Sequence, residues 1–193
     1  MTPAGTVLGR LSIVTTAPEP DLTSYLRQGQ LHPRQEGGGP DPICGTIGRD
    51  PMNFTEPTED DVSRLAQQVV VVSGLAERLG LPTLTGTEAD LPTLQAILDS
   101  GELTADDTYE LQSLGVAFGR VLITKVDGLD WAIINDEYGS DPTVRYRNTT
   151  LCVNALTAIS KRVENGEEVD VADLLRSFEG GIQEAILHMG GTA

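Results

Sequence analysis

At 193 residues the chain is long enough for one hydrophobic core with an added segment, or for two small domains. Its 29 acids against 13 bases leave a net charge of −16, which repels nucleic acid and anionic membranes and attracts a basic partner. Aromatic residues are only 4%, so the core has to be built from Val, Leu, Ile and Ala.

Residues 1–55 read as a Gly/Pro-rich arm. "TVLGRLSIVTT" offers one short strand, "DLTSYLRQG" a short helix, and "LHPRQEGGGPDPICGTIGRDPMN" a loop or linker. The start lacks a basic segment followed by a long apolar run, so no signal peptide is expected, and no window is apolar enough to span a membrane. Two cysteines, Cys44 and Cys152, stand at no motif spacing. The simplest setting is reducing and cytoplasmic, with a disulfide left open.

A single α+β domain is expected over 56–193, mostly helical with about five helices. Thr58 caps the first, with Asp61 in the capping-box position and Glu59, Asp60 and Asp61 at the positive end of the helix dipole. Val62, Leu65, Ala66, Val69, Val72, Ala76 and Leu79 keep helical spacing, and Gly80 ends the run. "VVVV" at 69–72 alone reads equally well as strand; its flanks decide for helix. A second helix is capped by Thr87 and stopped by Gly101. A third starts at Thr104 and places Gly115 and Gly119 on its apolar face, where close approach of another backbone offsets about 1 kcal/mol of helix propensity per glycine.

A hairpin near 129–147 comes next, the basis of a small antiparallel sheet. "LDWAIIN" and "TVRYRN" alternate, and "DEYGSDP" has turn chemistry. Trp131 is expected to be buried against the Gly115/Gly119 helix. Two helices close the chain, one over "TTLCVNALTAISKRVENGE" with Cys152 in its first turn, the other capped by Asp170, where Gly180-Gly181 offers a point of kinking or division.

From about residue 85 to 176 the order of features resembles a bacterial family known as domain of unknown function 3806. "LGVAFGRVL" (114–122), "GLDWAIINDEYG" (128–139) and "KRVENGEEVDVADLL" (161–175) carry the resemblance, and the tryptophan strand running into Asp-Glu-x-Gly is its most specific part. The resemblance implies an α+β domain and assigns no catalytic residues.

Five carboxylates, Asp127, Asp130, Asp136, Glu137 and Asp141, fall within fifteen residues. They match no calcium loop, and Asp136, Glu137 and Asp141 read as solvated acids of the hairpin turn, with Asp130 paired across the strands to Arg145 or Arg147. Cys152 reads as a buried structural cysteine and Cys44 as the more exposed. No zinc set, nucleophile elbow or phosphate loop is present, so no catalytic, metal or cofactor residue is assigned.

Residues 56–110 hold twelve acids and two bases, a local charge of −10. The expected function is therefore a non-catalytic acidic module that binds a basic protein, in its sharpest form an immunity- or antitoxin-like protein neutralising a toxin. Glu77, Glu88, Asp99 and Glu102 are the expected contact residues. The alternatives are an adaptor or structural subunit of a bacterial assembly, and a hydrolase using Asp130, Asp136 or Glu137.

Overall fold

Helix α1 (Glu59–Arg78) forms where its caps say it should. In this computed structural model, which describes residues 43–44, 53–136 and 139–190, Thr58 Oγ1 accepts from the Asp61 amide and Asp61 accepts from the Thr58 amide, closing a capping box. Gly80, at φ +66, lets the chain leave the helix, and the Leu81 amide returns to the Ala76 carbonyl. The "VVVV" run is helical throughout.

The Thr58 bonds, with Arg64 beside them, hold the Asp61 carboxyl below its usual pKa. A depressed carboxyl stabilises the fold above its unfolded pKa, about 4, and that contribution is lost as pH falls through the lower folded value. Thr58→Ala should therefore cost about 1 kcal/mol at neutral pH. The stability gap between wild type and Asp61→Asn should close as urea titrations are repeated below pH 4. A gap that persists in acid would mean that the carboxylate charge is not what the box uses.

Thr87 caps a 3-10 turn at Glu88–Asp90 instead of the α-helix itself, which starts later as α2 (Leu91–Asp99). The third helix also starts late, as α3 (Thr108–Lys125). The Asp107 carboxylate turns back to the Thr104 amide and hydroxyl, so 104–107 is a turn and not a first helical turn.

The sheet is antiparallel, with five strands among the described residues in the order β1-β5-β4-β3-β2. They are β1 (Ile43–Cys44), β2 (Asn53–Thr55), β3 (Leu129–Asp136), β4 (Gly139–Tyr146) and β5 (Cys152–Val153). Both β1 and β2 come from the stretch that composition assigns to the arm, and the described residues fall within one compact unit, Gly38–Ala193. The strand and helix expected at "GRLSIVTT" and "DLTSYLRQG", like Glu137, lie outside the described residues.

The hairpin register has Trp131 opposite Val144 and Asp130 opposite Arg145. Pairing runs further than the turn composition implied: Asp136 ends β3, and Asp141 lies within β4 opposite Ile134. No ion pair joins Asp130 to Arg145. The guanidinium of Arg145 sits 4.3 Å from the centre of the Phe54 ring and its Nε donates to the Thr149 carbonyl, while Asp130 accepts from the Trp131 amide.

The helix expected from Thr149 begins instead as strand. Arg147 takes a positive φ of 47, the Tyr146 amide bonds to the Leu151 carbonyl, and Cys152-Val153 pair with β4. Cys152 is therefore a fully buried strand residue, and it is disulfide-bonded. In the register it faces Cys44, the other cysteine of the sequence. Two short helices come after β5, α4 (Ala155–Ala158) and α5 (Ser160–Glu164). The last helix, α6 (Val171–Gly190), runs without a break through Gly180-Gly181, and Asp170 caps it by accepting from the Asp173 amide.

Helix α3 is the centre of the core. Leu111, Leu114, Phe118, Val121 and Leu122 are fully buried on it, and Phe118 meets Phe178 of α6 edge-to-face at 5.5 Å. Its two glycines do separate jobs. A Cβ on Gly115 would lie 2.3 Å from the Leu156 carbonyl oxygen, so the α4 backbone passes directly over it. A Cβ on Gly119 would lie 2.8 Å from the Trp131 ring, so the glycine is the seat of the tryptophan. Trp131 is only half-buried, because its outer side opens onto a groove between α1 and α3.

Candidate functional site

This open groove of about 670 Å³ lies along the packing of α1 against α3, with the start of β3 at its end. One wall is Val62, Leu65, Ala66 and Val69 of α1; the facing wall is Val116, Arg120 and Ile123 of α3, with Trp131 beyond them. Val62 is 56% exposed, one of four large apolar side chains exposed among the described residues, and the one of them that lines the groove. The polar contribution comes from Glu56, Thr85, Thr124 and Asp130 at the rim, and from Arg120.

The bend beside Arg120 is built by Asp90. This carboxylate is buried and accepts from the amides of Thr85 and Gly86 and from the Thr85 hydroxyl, at 2.7–3.0 Å. The bend carries Gly86 at φ +77, and a Cβ there would lie 3.2 Å from an Arg120 guanidinium nitrogen. Arg120 therefore rests on a bare backbone surface. It forms no hydrogen bond or ion pair through its guanidinium among the described residues.

The other arginines of the described residues are all engaged. Arg64, Arg78 and Arg176 pair with Asp61, Glu102 and Asp173, Arg162 donates to the Ala158 carbonyl, and Arg145 and Arg147 lie over the rings of Phe54 and Tyr146. Sequence reasoning passed over Arg120. Its one signal was isolation: it is the only base between Arg78 and Lys125.

The four acids expected to bind a partner are all exposed but do not share one patch. Glu102 pairs with Arg78 at 3.5 Å, which brings it to the end of α1 that carries Glu77. Asp99, at the end of α2, accepts from Gln95. Glu88 precedes the other end of α2, more than ~13 Å away along the helix, and pairs with Lys125 at 2.9 Å. Local structure uses more of the acidic excess, in the Asp61 box, the Asp90 bend and the Asp107 turn.

The hairpin acids do not gather either. Asp130 and Asp136 stand at opposite ends of β3, about 20 Å apart along the strand, well beyond the span of a glycosidase carboxylate pair. Asp136 accepts from the Gly139 amide and Asp141 is exposed on β4. Among the described residues no group of three or more His, Cys, Asp and Glu side chains is placed to hold a metal ion, and no helix is long and apolar enough to cross a membrane.

Residues 90–174 match the family described as Domain of unknown function (DUF3806). The chain carries a DUF3806 domain. No curated protein matches the chain. The fold is similar to that of a crystallographically determined protein of Bacteroides thetaiotaomicron, with a TM-score of 0.59 and 20% identity over 67% of this chain and 48% of that one. The chain thus spans about half the length of that protein, and at this identity the likeness is one of fold alone. The DUF3806 segment supplies the Arg120 and Trp131 wall of the groove together with Asp90, whereas the α1 wall lies before it.

Proposed function

We propose that the chain is a non-catalytic protein-binding module whose contact surface is the α1–α3 groove. The observation that carries this reading is the apolar wall left open beside a half-buried tryptophan and an exposed Val62. Open apolar surface rimmed by polar groups is a feature of protein interaction sites and ligand-binding grooves. The acidic body then acts at a distance, raising the association rate of a basic partner and losing that effect as salt screens it.

The immunity- or antitoxin-like form of the reading keeps one specific support: Glu77 is exposed and stands in no ion pair among the described residues. In that form the acids are the contact itself. The location of the chain is a separate matter. The buried disulfide at Cys152 favours an oxidising compartment over the reducing cytoplasm expected from the sequence.

Two variants separate the groove from the acids. Val62→Glu with Ala66→Arg alters exposed groove positions and leaves the core intact, and a second variant reverses Glu77, Glu88, Asp99 and Glu102 to lysine. Affinity capture from the native host should retain a stoichiometric partner on wild type and lose it, by tenfold or more, on the groove variant. The reversed variant should bind more slowly, with a weaker dependence on salt. A partner kept by the groove variant and lost by the reversed one transfers the contact to the acidic face. A partner that is equally retained by both sinks the reading.

A further inference from the structure

We propose that Arg120 receives the C-terminal carboxylate of a peptide whose last side chain is apolar, an assignment that rests on the groove reading above. The starting point is charge. Of the seven arginines of the described residues, three pair with a carboxylate and three more rest on a carbonyl or a ring, so the Arg120 guanidinium alone among them has neither a hydrogen bond, an ion pair nor a ring contact. It stands in the wall of the groove. A partly buried guanidinium presents several fixed N–H donors, and a carboxylate matches them two at a time.

The surroundings narrow the ligand. The partly exposed Ile123, Val69 and Trp131 offer an apolar seat next to the guanidinium, which suits an aliphatic side chain adjoining the carboxylate. Glu56 and Asp130 at the rim are acceptors, and they repel a bare anion but suit the N–H donors of a peptide backbone. A fatty acid brings no such donors. The Asp90-braced bend is what keeps the site ready, since Gly86 lets the guanidinium lie flat against the backbone. Capture of a C-terminal carboxylate is an established mode of peptide recognition, there through backbone N–H groups, and here the Arg120 guanidinium supplies the donors.

The test uses the whole chain and its single tryptophan, which lines the groove. Trp131 fluorescence and amide NMR shifts are followed while three probes are added: acetyl-Ala-Ala-Ala-Leu with a free carboxylate, the same peptide as its carboxamide, and decanoate. The free acid should bind at least tenfold more tightly than the amide and move the resonances of Val116, Arg120 and Trp131. Arg120→Gln should abolish that preference while its circular dichroism stays that of wild type, and Arg120→Lys should restore part of it. Equal binding of acid and amide, a preference that survives Arg120→Gln, or no perturbation of the groove by the free acid overturns the assignment. Decanoate binding as tightly as the peptide overturns the choice of a peptide. The Val62 and Ala66 capture experiment is independent of these outcomes, so a groove that docks a partner without Arg120 remains distinguishable from a groove that docks nothing.

Discussion

Gly115→Ala should lower the melting temperature by about 4–8 °C, a large effect for a one-carbon change. The added Cβ would come within 2.3 Å of the Leu156 carbonyl oxygen and 2.6 Å of the Ala155 carbonyl oxygen. Both are backbone atoms, so no side chain can turn aside to make room. Helix α3 and the α4 segment have to separate, and the fully buried contacts of Leu114, Ala155 and Ile159 loosen with them. Overpacking of this kind costs about 3 kcal/mol at the upper end of its usual range, against roughly 1 kcal/mol that alanine gains in a helix. Gly180→Ala is the control. Nothing lies within 4 Å of its Cβ position, so that variant should melt at or slightly above wild type. If the two variants melt alike, the α4 backbone yields to a methyl group and Gly115 is an ordinary helix position.

Reduction should have an effect of similar size. Cys152 is fully buried and disulfide-bonded in a strand of two residues, and so short a strand has little ladder of its own to hold it. A bond of this type contributes about 2–4 kcal/mol, chiefly by restricting the unfolded chain. Melting with and without a strong reductant, alongside Cys152→Ala, should show losses on the order of 10 °C in both. Thiol alkylation of the denatured, unreduced protein should find no free cysteine. Identical melts in the two conditions, or free thiols in the oxidised sample, would remove the bond from the account of stability and with it the argument for an oxidising compartment.

Sequence alone places Cys152 differently, in the first turn of a helix. "TTLCVNALTAIS" has helical spacing and a cap-like Thr, and nothing within it reveals a strand. Two residues become β5 because β4 offers them an open edge, and that offer depends on the hairpin and not on the segment itself. The late starts of α2 and α3 have the same character on a smaller scale. Thr87 and Thr104 are good caps by type, but the carboxylates of Asp90 and Asp107 fold back on the preceding turn and use it for a bend.

What the sequence determined by itself is what short-range chemistry decides. Helix α1 follows from Thr58, Asp61, the spacing of its aliphatic residues and Gly80; the hairpin follows from alternation, though its pairing runs on through the expected turn; and the central place of α3 follows from two glycines that only close approach could justify. The DUF3806 resemblance belongs to the same class, since it rests on the order of such local features. The groove belongs to the other class. Val62 looks like one more core residue of α1 and Arg120 like one more surface base of α3, because periodicity assigns a face but not the neighbour that covers it. Only the packing of α1 on α3 leaves that face of Val62 uncovered, and only the bend braced by Asp90 sets Arg120 against Gly86 with no carboxylate paired to it among the described residues. Those are relations between segments far apart in the chain, and no local pattern encodes them.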